Sequence, residues 1–584
     1  MIDRLFRQMS ATQILSAVSI TLCLLIDSIV IGRLLGVESM SAYGLASPLL
    51  IVLTSLGTMC AVGVQVVCGR SIGTGDREGS DVCYSTSVAM ALGMALLGLL
   101  LVVTMWKPLC TLLGAGEALP ENRLFYLTGD YLRGYILGAP VFFLSQIMAP
   151  YLQIGGKRKL LMWSVAAMTA TDIAADLVSV YVFHAGMFGI GLASSLSYLA
   201  AVLVGIGFFL KKDCPFRFRV KGLRGQTAWE ISKAGSPVII NQICLTLRVY
   251  LINRILLVLS GTDGVAVYAS VTSLGNLFFN VGLGTGTVAL TLSSIFFSEE
   301  DRTSLCELVR VMLRQTLTLM LAAVTLAVLS APWLARLFLG SAPNIVSLSV
   351  PALRLYCISL IPGAVSTTFK SYYQGTRRIG LTHLISVSNS LAFTVLFAWI
   401  GGRLYGFTGL WVGIIVGQLG VCVMILLIAW IRHGGISVSA ETLSMLDQSF
   451  GARGEEFFDG AIPDLNTAVA VSERIQAFCR DRGIDPRTSY FIALCVEEMT
   501  TNIILHGFTK DKRPHNIDVR LVVRDTGRLI RIRDNCIRFD PTTYLDLHRT
   551  DDPAAHIGIR MVMATVTEAN YIHTLGLNNL TLRL

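Results

Sequence analysis

Three carboxylates in the first half of the chain stand inside runs that are otherwise apolar: Asp27, Asp172 and Asp176. At helical spacing the last two, four residues apart, share one face. A charged side chain at the centre of a bilayer helix costs about 2.5–3.5 kcal/mol. Two carboxylates so close in a dry site cannot both ionise comfortably, so one holds a proton or a cation sits between them. That is the chemistry of an H⁺- or Na⁺-coupled carrier. The competing reading is that they are satisfied polar groups holding a kink or a helix contact. The second half carries bases instead. Arg254 and Lys370 are placed to snorkel to opposite faces, whereas Arg248 is nearer the middle. It could pair with one of the acids or favour an anionic substrate. A separate constellation lies near the C-terminus. Glu498, Asn502 and His506 recur every four residues and line one helix face. Gly558 follows at the start of another helix, where backbone N–H groups could cradle phosphate. The chain has no GxxxxGK[ST] loop, which argues against an ATP-driven pump.

The elements that must position these groups fall into two regions. Of the 584 residues, 53% are hydrophobic and 15% charged, but the average conceals a division. Residues 1–435 hold 30 Lys and Arg against 18 Asp and Glu, about 11% charged. Residues 436–584 hold 17 against 20, about 25% charged. The net charge of +9 therefore comes from the apolar region, where short basic loops explain it better than nucleic-acid binding. Twelve stretches are long enough to span ~30 Å of hydrocarbon. They lie near 11–31, 43–67, 84–106, 134–153, 160–183, 188–210, 234–260, 266–290, 312–339, 350–372, 383–404 and 408–431. The first reads as a spanning helix and not as a cleavable leader. Alternate loops hold twenty basic residues on one side and about five on the other, Arg33, Lys107, Arg123, Arg336 and Arg403 among them. This predicts both termini in the cytoplasm of a bacterial cell, with the chain embedded in its cytoplasmic membrane. The thirteen cysteines are scattered without CxxC spacing and read as small buried thiols, not as a metal site or disulfide framework.

The two halves repeat. Gly36 to Leu49 lies over Gly261 to Leu274 at an offset of 225, which also carries Asp76-Arg77 onto Asp301-Arg302. Tyr151-Leu-Gln lies over Tyr372-Tyr-Gln at nearly that offset. Six helices separate the copies, so two six-helix lobes (about 1–210 and 234–432) should be related by an axis along the membrane normal, with a cleft between them. Asp27-Ser-Ile-Val-Ile-Gly-Arg-Leu-Leu-Gly followed by Ser-Ala-Tyr-Gly-Leu-Ala-Ser-Pro resembles the first two helices of multidrug and toxin extrusion (MATE) transporters. Asp172-Ile-Ala-Ala-Asp176 with Gly186-Met-Phe-Gly-Ile-Gly-Leu-Ala resembles that family's fifth-to-sixth helix region. The resemblance covers about residues 8–432. It implies an efflux antiporter for amphipathic, often cationic small molecules, with Asp27 and Asp176 in the positions of the family's functional carboxylates. Asp172 stands where the family usually has Asn, which leaves Na⁺ and H⁺ both open.

Residues 433–455 are polar and Gly/Ser-bearing, as a linker would be. From 456 to 584 the pattern predicts a two-layer α/β unit. It has helices over 463–483, 486–506 and 556–568, strands over 517–523 and 529–533 joined by a turn at Asp525-Thr-Gly527, and a final hairpin around Leu577-Asn578-Asn579. Glu497-Glu498-Met-Thr-Thr-Asn502-Ile-Ile-Leu-His506 resembles the N box of GHKL ATP-binding domains, in the branch of the anti-sigma-factor serine kinases. Asp534-Asn-Cys-Ile-Arg-Phe-Asp540-Pro541 resembles the next box. The resemblance implies ATP and Mg²⁺ held by Asn502, Asp534, Gly558 and His506, with Asn502 on the metal, Asp534 on the adenine amine and Glu498 as base. It further implies a Ser/Thr protein kinase activity and a cytoplasmic partner of the anti-anti-sigma kind. Cys536, Ala555 and His556 stand where the family favours Gly. Two other functional classes stay open. One is a flippase for a lipid-linked or anionic substrate; the other is a transporter-like sensor that signals through the C-terminal domain.

Overall fold

A computed structural model describes the chain except for residues 1, 118–120, 212–213, 340–342, 434, 436, 448–449, 453–455, 509–514, 525–526 and 543–556. The expected residues Ala555 and His556, and most of the Asp525-Thr-Gly527 turn, lie outside the described residues.

The first 433 residues are helical. Lobe one contains α1 (Ile2–Val30, continued by a π-turn, Ile31–Leu35), α2 (Val37–Gly73), α3 (Arg77–Leu112), α4 (Arg123–Ile136), α5 (Ala139–Ile154), α6 (Arg158–Tyr181) and α7 (Gly186–Phe209). Lobe two contains α8 (Gly225–Ser298), α9 (Arg302–Leu339), α10 (Pro343–Gly375), α11 (Ile379–Val387) and α12 (Phe393–His433). Ten helices among the described residues are long and apolar enough to cross a membrane, and α4 with α5, bent by 52°, makes an eleventh passage. The run Ile379–His433 has 55 residues. As one rod it would be about 80 Å long, but Tyr405 and Gly406 leave helical geometry and turn it back, which gives the twelfth. The fourth passage starts at Arg123 and not near 134, because the Asn122 side chain caps α4 by accepting from Phe125 N at 3.2 Å.

The repeat is visible in the backbone. Gly36, between α1 and α2, and Gly261, where α8 breaks, sit at the two matched corners with φ of +89° and +66°. Both need a residue without Cβ to take that turn cheaply. Asp76 caps α3 by accepting from Gly79 N at 2.8 Å, and Asp301 caps α9 by accepting from Ser304 N at 2.9 Å. The Tyr-x-Gln copies end on Gly156 and Arg377, both left-handed.

The lobes meet on the side that carries both chain ends. There the backbones of α2 and α8 nearly touch. A Cβ on Gly63 would fall 2.2 Å from the Ile231 carbonyl oxygen, and one on Gly235 would fall 2.1 Å from that of Met59. Ser294 donates to the Gln65 carbonyl at 3.1 Å, and Asn280 donates to Thr21 at 2.8 Å. On the opposite side the buried clusters stay within one lobe each, around Phe125 and Phe142 in the first and around Tyr268 and Trp411 in the second. The cleft is therefore closed at the terminus-bearing face. Gly235→Val should overpack this contact at a cost of about 1–3 kcal/mol. A lowered thermal midpoint of the purified protein checks it.

The expected linker contains a short helix, α13 (Ala440–Ser444), and Leu443 and Met445 are buried against lobe two. The C-terminal unit is a five-stranded antiparallel sheet in the order β1-β2-β3-β5-β4: β1 (Phe457–Ile462), β2 (Ile517–Arg524), β3 (Gly527–Asp534), β5 (Leu577–Arg583), β4 (Glu568–Thr574). Helices α14 (Leu465–Asp481), α15 (Pro486–Gly507) and α16 (Ile557–Thr565) pack on one face around Ile475, Val496, Ile532 and Leu582. Asp464 and Asp485 cap the first two helices. The final hairpin turns at Leu575-Gly576, both at positive φ, and not at Asn578-Asn579, which belong to β5.

Candidate functional site

Two sites emerge, one in each region. In lobe one, α1 brings Asp27 against the α6 face that carries Asp172 and Asp176. Asp27 lies within hydrogen-bonding reach of both. The three are 5%, 5% and 1% exposed, so the cluster is buried. One oxygen of Asp27 and both of Asp176 have no donor in the structure. Two carboxyl groups hydrogen-bond each other only when one is protonated. Asp172 is better served, because Ser197 and Cys23 face it. A wall of tyrosines closes the site. Tyr43 meets Tyr131 edge-on at 5.4 Å, Tyr131 stacks with Tyr135 at 6.2 Å, and Tyr135 meets Tyr198 at 6.5 Å. This wall comes from α2, α4 and α7 and has no signature along the chain. An aromatic lining beside carboxylates offers π-faces and negative charge to an amphipathic cation.

Arg248 does not join the acids. It lies on α8 in the other lobe, beside Tyr268 and Tyr356, whose rings pack on Trp411 at 5.9 and 6.1 Å. Its Nε is buried without an acceptor. Among the described residues no carboxylate lies within ion-pair distance of it.

In the C-terminal unit a cavity of about 260 Å³ opens between α15 and the sheet, lined by Asn502, His506, Asp534, Phe539, Tyr571 and Asn578 among others. Asp534 ends β3 and is buried. It accepts from Asn578 Nδ2 at 2.8 Å and from Cys536 N at 2.9 Å. Burial pushes its carboxyl above the usual range, against the pull of those two bonds. Tyr571 donates to Asn578 Oδ1 at 2.6 Å and fixes that amide. The result is a mixed slot, with Met499, Ile503, Phe539 and Ile559 beside a buried, oriented carboxylate acceptor, which fits a flat ring bearing an exocyclic amine. Cys536 itself lines the slot. Its thiol packs on Gly507 while its N–H holds Asp534. Asn502 donates to the Glu498 carbonyl at 2.8 Å. Glu498 and Gly558 sit beside the cavity and against each other, since a Cβ on Gly558 would fall 2.0 Å from Glu498 Oε2. The structure brings the sequence candidates Asn502, His506 and Asp534 to one cavity, and adds Asn578 and Tyr571 from the last two strands, which carry no signal along the chain.

Comparison with known proteins agrees with both halves of this description. Residues 13–178 and 237–400 match the MatE family, and residues 462–584 match the histidine kinase-like ATPase domain. The multidrug export protein MepA of Staphylococcus haemolyticus is 23% identical over 419 residues, 71% of this chain and 90% of that protein. The Staphylococcus aureus MSSA476 protein of the same name is 22% identical over the same shares. Among solved structures, an outward-facing multidrug resistance MATE transporter of the MOP superfamily superposes with a TM-score of 0.67 at 22% identity, over 72% of this chain and 94% of that one. A MOP superfamily transporter from Pyrococcus furiosus, described as having a binding pocket of reversed polarity, gives 0.65 at 22% identity over the same shares. The twelve-passage, two-lobed part is thus matched over nearly its whole length, and the chain belongs to the MatE family, its transporter fold joined to a C-terminal histidine kinase-like ATPase domain.

Proposed function

We propose that this chain is a secondary antiporter that expels amphipathic small molecules, cations among them, in exchange for Na⁺ or H⁺. The observation that carries this reading is the buried Asp27–Asp172–Asp176 cluster with its donorless oxygens. Ion entry from one side and substrate binding compete for the same negative charge. A single cleft that opens alternately then exchanges one for the other. The terminus-bearing face is the cytoplasmic one, in keeping with its basic loops. Efflux of a panel of lipophilic cations from vesicles with imposed Na⁺ or H⁺ gradients tests the reading. Transport that ignores both gradients would refute it. The partnerless Arg248 Nε among tyrosines supports a second reading, a carrier or flippase for an anionic substrate. Anionic members in the same panel distinguish the two.

The C-terminal domain regulates or signals. ATP, when bound, supplies the phosphoryl group. Asp534 would hold the adenine amine and Asn502 the Mg²⁺, and Glu498 would accept the proton of a partner Ser or Thr hydroxyl as that oxygen bonds the γ-phosphorus and ADP leaves. A sensor that signals through this domain without net transport would use the same groups.

A further inference from the structure

We propose that the C-terminal domain is also a clasp that ties the two lobes together at the terminus-bearing face, and that the cleft can open there only when the clasp lets go. The helices α14–α16 cover one face of the sheet, and the other face rests on the transporter. On that face β2 and β3 carry Arg520, Arg524, Arg531 and Arg533. The register sets Arg520 directly opposite Arg531. Like charges so paired repel unless a counter-charge sits between them. The counter-charge is the acidic corner Glu299-Glu300-Asp301 between α8 and α9. Asp301 pairs with both Arg520 and Arg531. Glu299 accepts from Arg531 at 3.0 Å, Arg533 at 2.7 Å and Asn579 at 3.1 Å. Glu300 pairs with Arg524 at 3.0 Å.

The side chains of Glu299 and Asp301 are 4% and 1% exposed, so this is a buried network and not a surface decoration. Burial alone would push the Asp301 carboxyl up, yet Arg531 and Arg520 hold it well below the usual carboxylate range. Buried pairs of this kind contribute little net stability, but breaking one partner is costly, so they fix register.

The same sheet holds the other lobe. The Leu575 N–H and the Thr574 hydroxyl donate to the Ile154 carbonyl at the end of α5, at 2.7 and 2.8 Å. Asn570 donates to the Gly75 carbonyl at 2.6 Å. Arg77, the repeat partner of Arg302, donates to the Tyr571 carbonyl at 2.5 Å and pairs with Asp540 at 3.1 Å. The Leu575 side chain enters the buried cluster that Phe6 and Met9 of lobe one share with Ile295 and Phe296 of lobe two. One rigid sheet therefore grips the matched loops of both lobes, where α2 and α8 already touch. The proposal rests on the antiporter reading only for its consequence, because opening of the lobes is read below without substrate or gradient.

The test is amide exchange of the full chain in lipid nanodiscs, followed over residues 59–73 and 225–235. Glu299→Lys should raise exchange in both segments roughly 10- to 100-fold while β2 and β3 keep their protection. Arg533→Glu should do the same from the domain side. The milder Glu299→Gln, which cannot repel, should move exchange in the same direction. Exchange at 59–73 within about twofold of wild type in both single charge reversals would overturn the clasp.

Discussion

Asp27→Asn should abolish gradient-driven efflux while the protein still inserts and folds. The substitution keeps size and hydrogen bonding but removes the charge that α1 brings to Asp172 and Asp176. A membrane potential of ~100 mV is worth about 2.3 kcal/mol for each charge moved. Losing one coupled charge should therefore lower steady-state accumulation ratios by roughly 50-fold. Asp27 is 5% exposed and one of its oxygens is donorless in the folded chain, so neutralising it should not destabilise the lobe. Vesicle transport by wild type and variant at matched protein levels checks the expectation. Coupled transport equal to wild type in the variant would leave Asp27 a structural residue. Asp176→Asn should behave alike, and Asp172→Asn should be milder because Ser197 and Cys23 already serve that carboxylate.

The second large effect concerns nucleotide. Full-length protein in nanodiscs should bind ATP weakly and in a Mg²⁺-dependent way. Asp534→Ala should remove the oriented acceptor and weaken binding roughly 10- to 100-fold, the scale of a hydrogen bond to a charged group. Asn502→Ala should erase the Mg²⁺ dependence. The whole chain is the right material, because an isolated fragment would expose the arginine face of its sheet to water. Calorimetry at millimolar ATP gives the answer. No heat from a folded wild-type protein would leave the domain as a clasp without a nucleotide.

Much of this was legible along the chain, for physical reasons. Hydropathy sets the passages, because a bilayer demands about twenty apolar residues whatever the tertiary context. The matched Gly36 and Gly261 were readable because a left-handed corner leaves few alternatives to glycine. Asp172 and Asp176 converge by helical spacing alone, whereas Asp27 joins them only through the packing of α1 on α6, which the family resemblance supplied. The tyrosine wall was not readable, since it is assembled from three helices with no shared period. In the C-terminal domain the alternation along β2 showed which face is apolar. It could not show what covers the polar face. The strand reads as half-solvated, yet its Arg520 side chain is only 12% exposed, paired with Asp301 of the transporter. The signal was present in another place: an acidic triplet, Glu299-Glu300-Asp301, on the side whose loops are otherwise basic.

The most direct test of the account is coupling measured in reverse. In liposomes holding only the purified protein, with no ion gradient imposed, a steep gradient of a transported lipophilic cation should drive Na⁺ or H⁺ in the opposite direction. The ion flux should vanish in Asp27→Asn. Substrate movement with no opposing ion flux would contradict antiport, whatever the clasp and the nucleotide site prove to do.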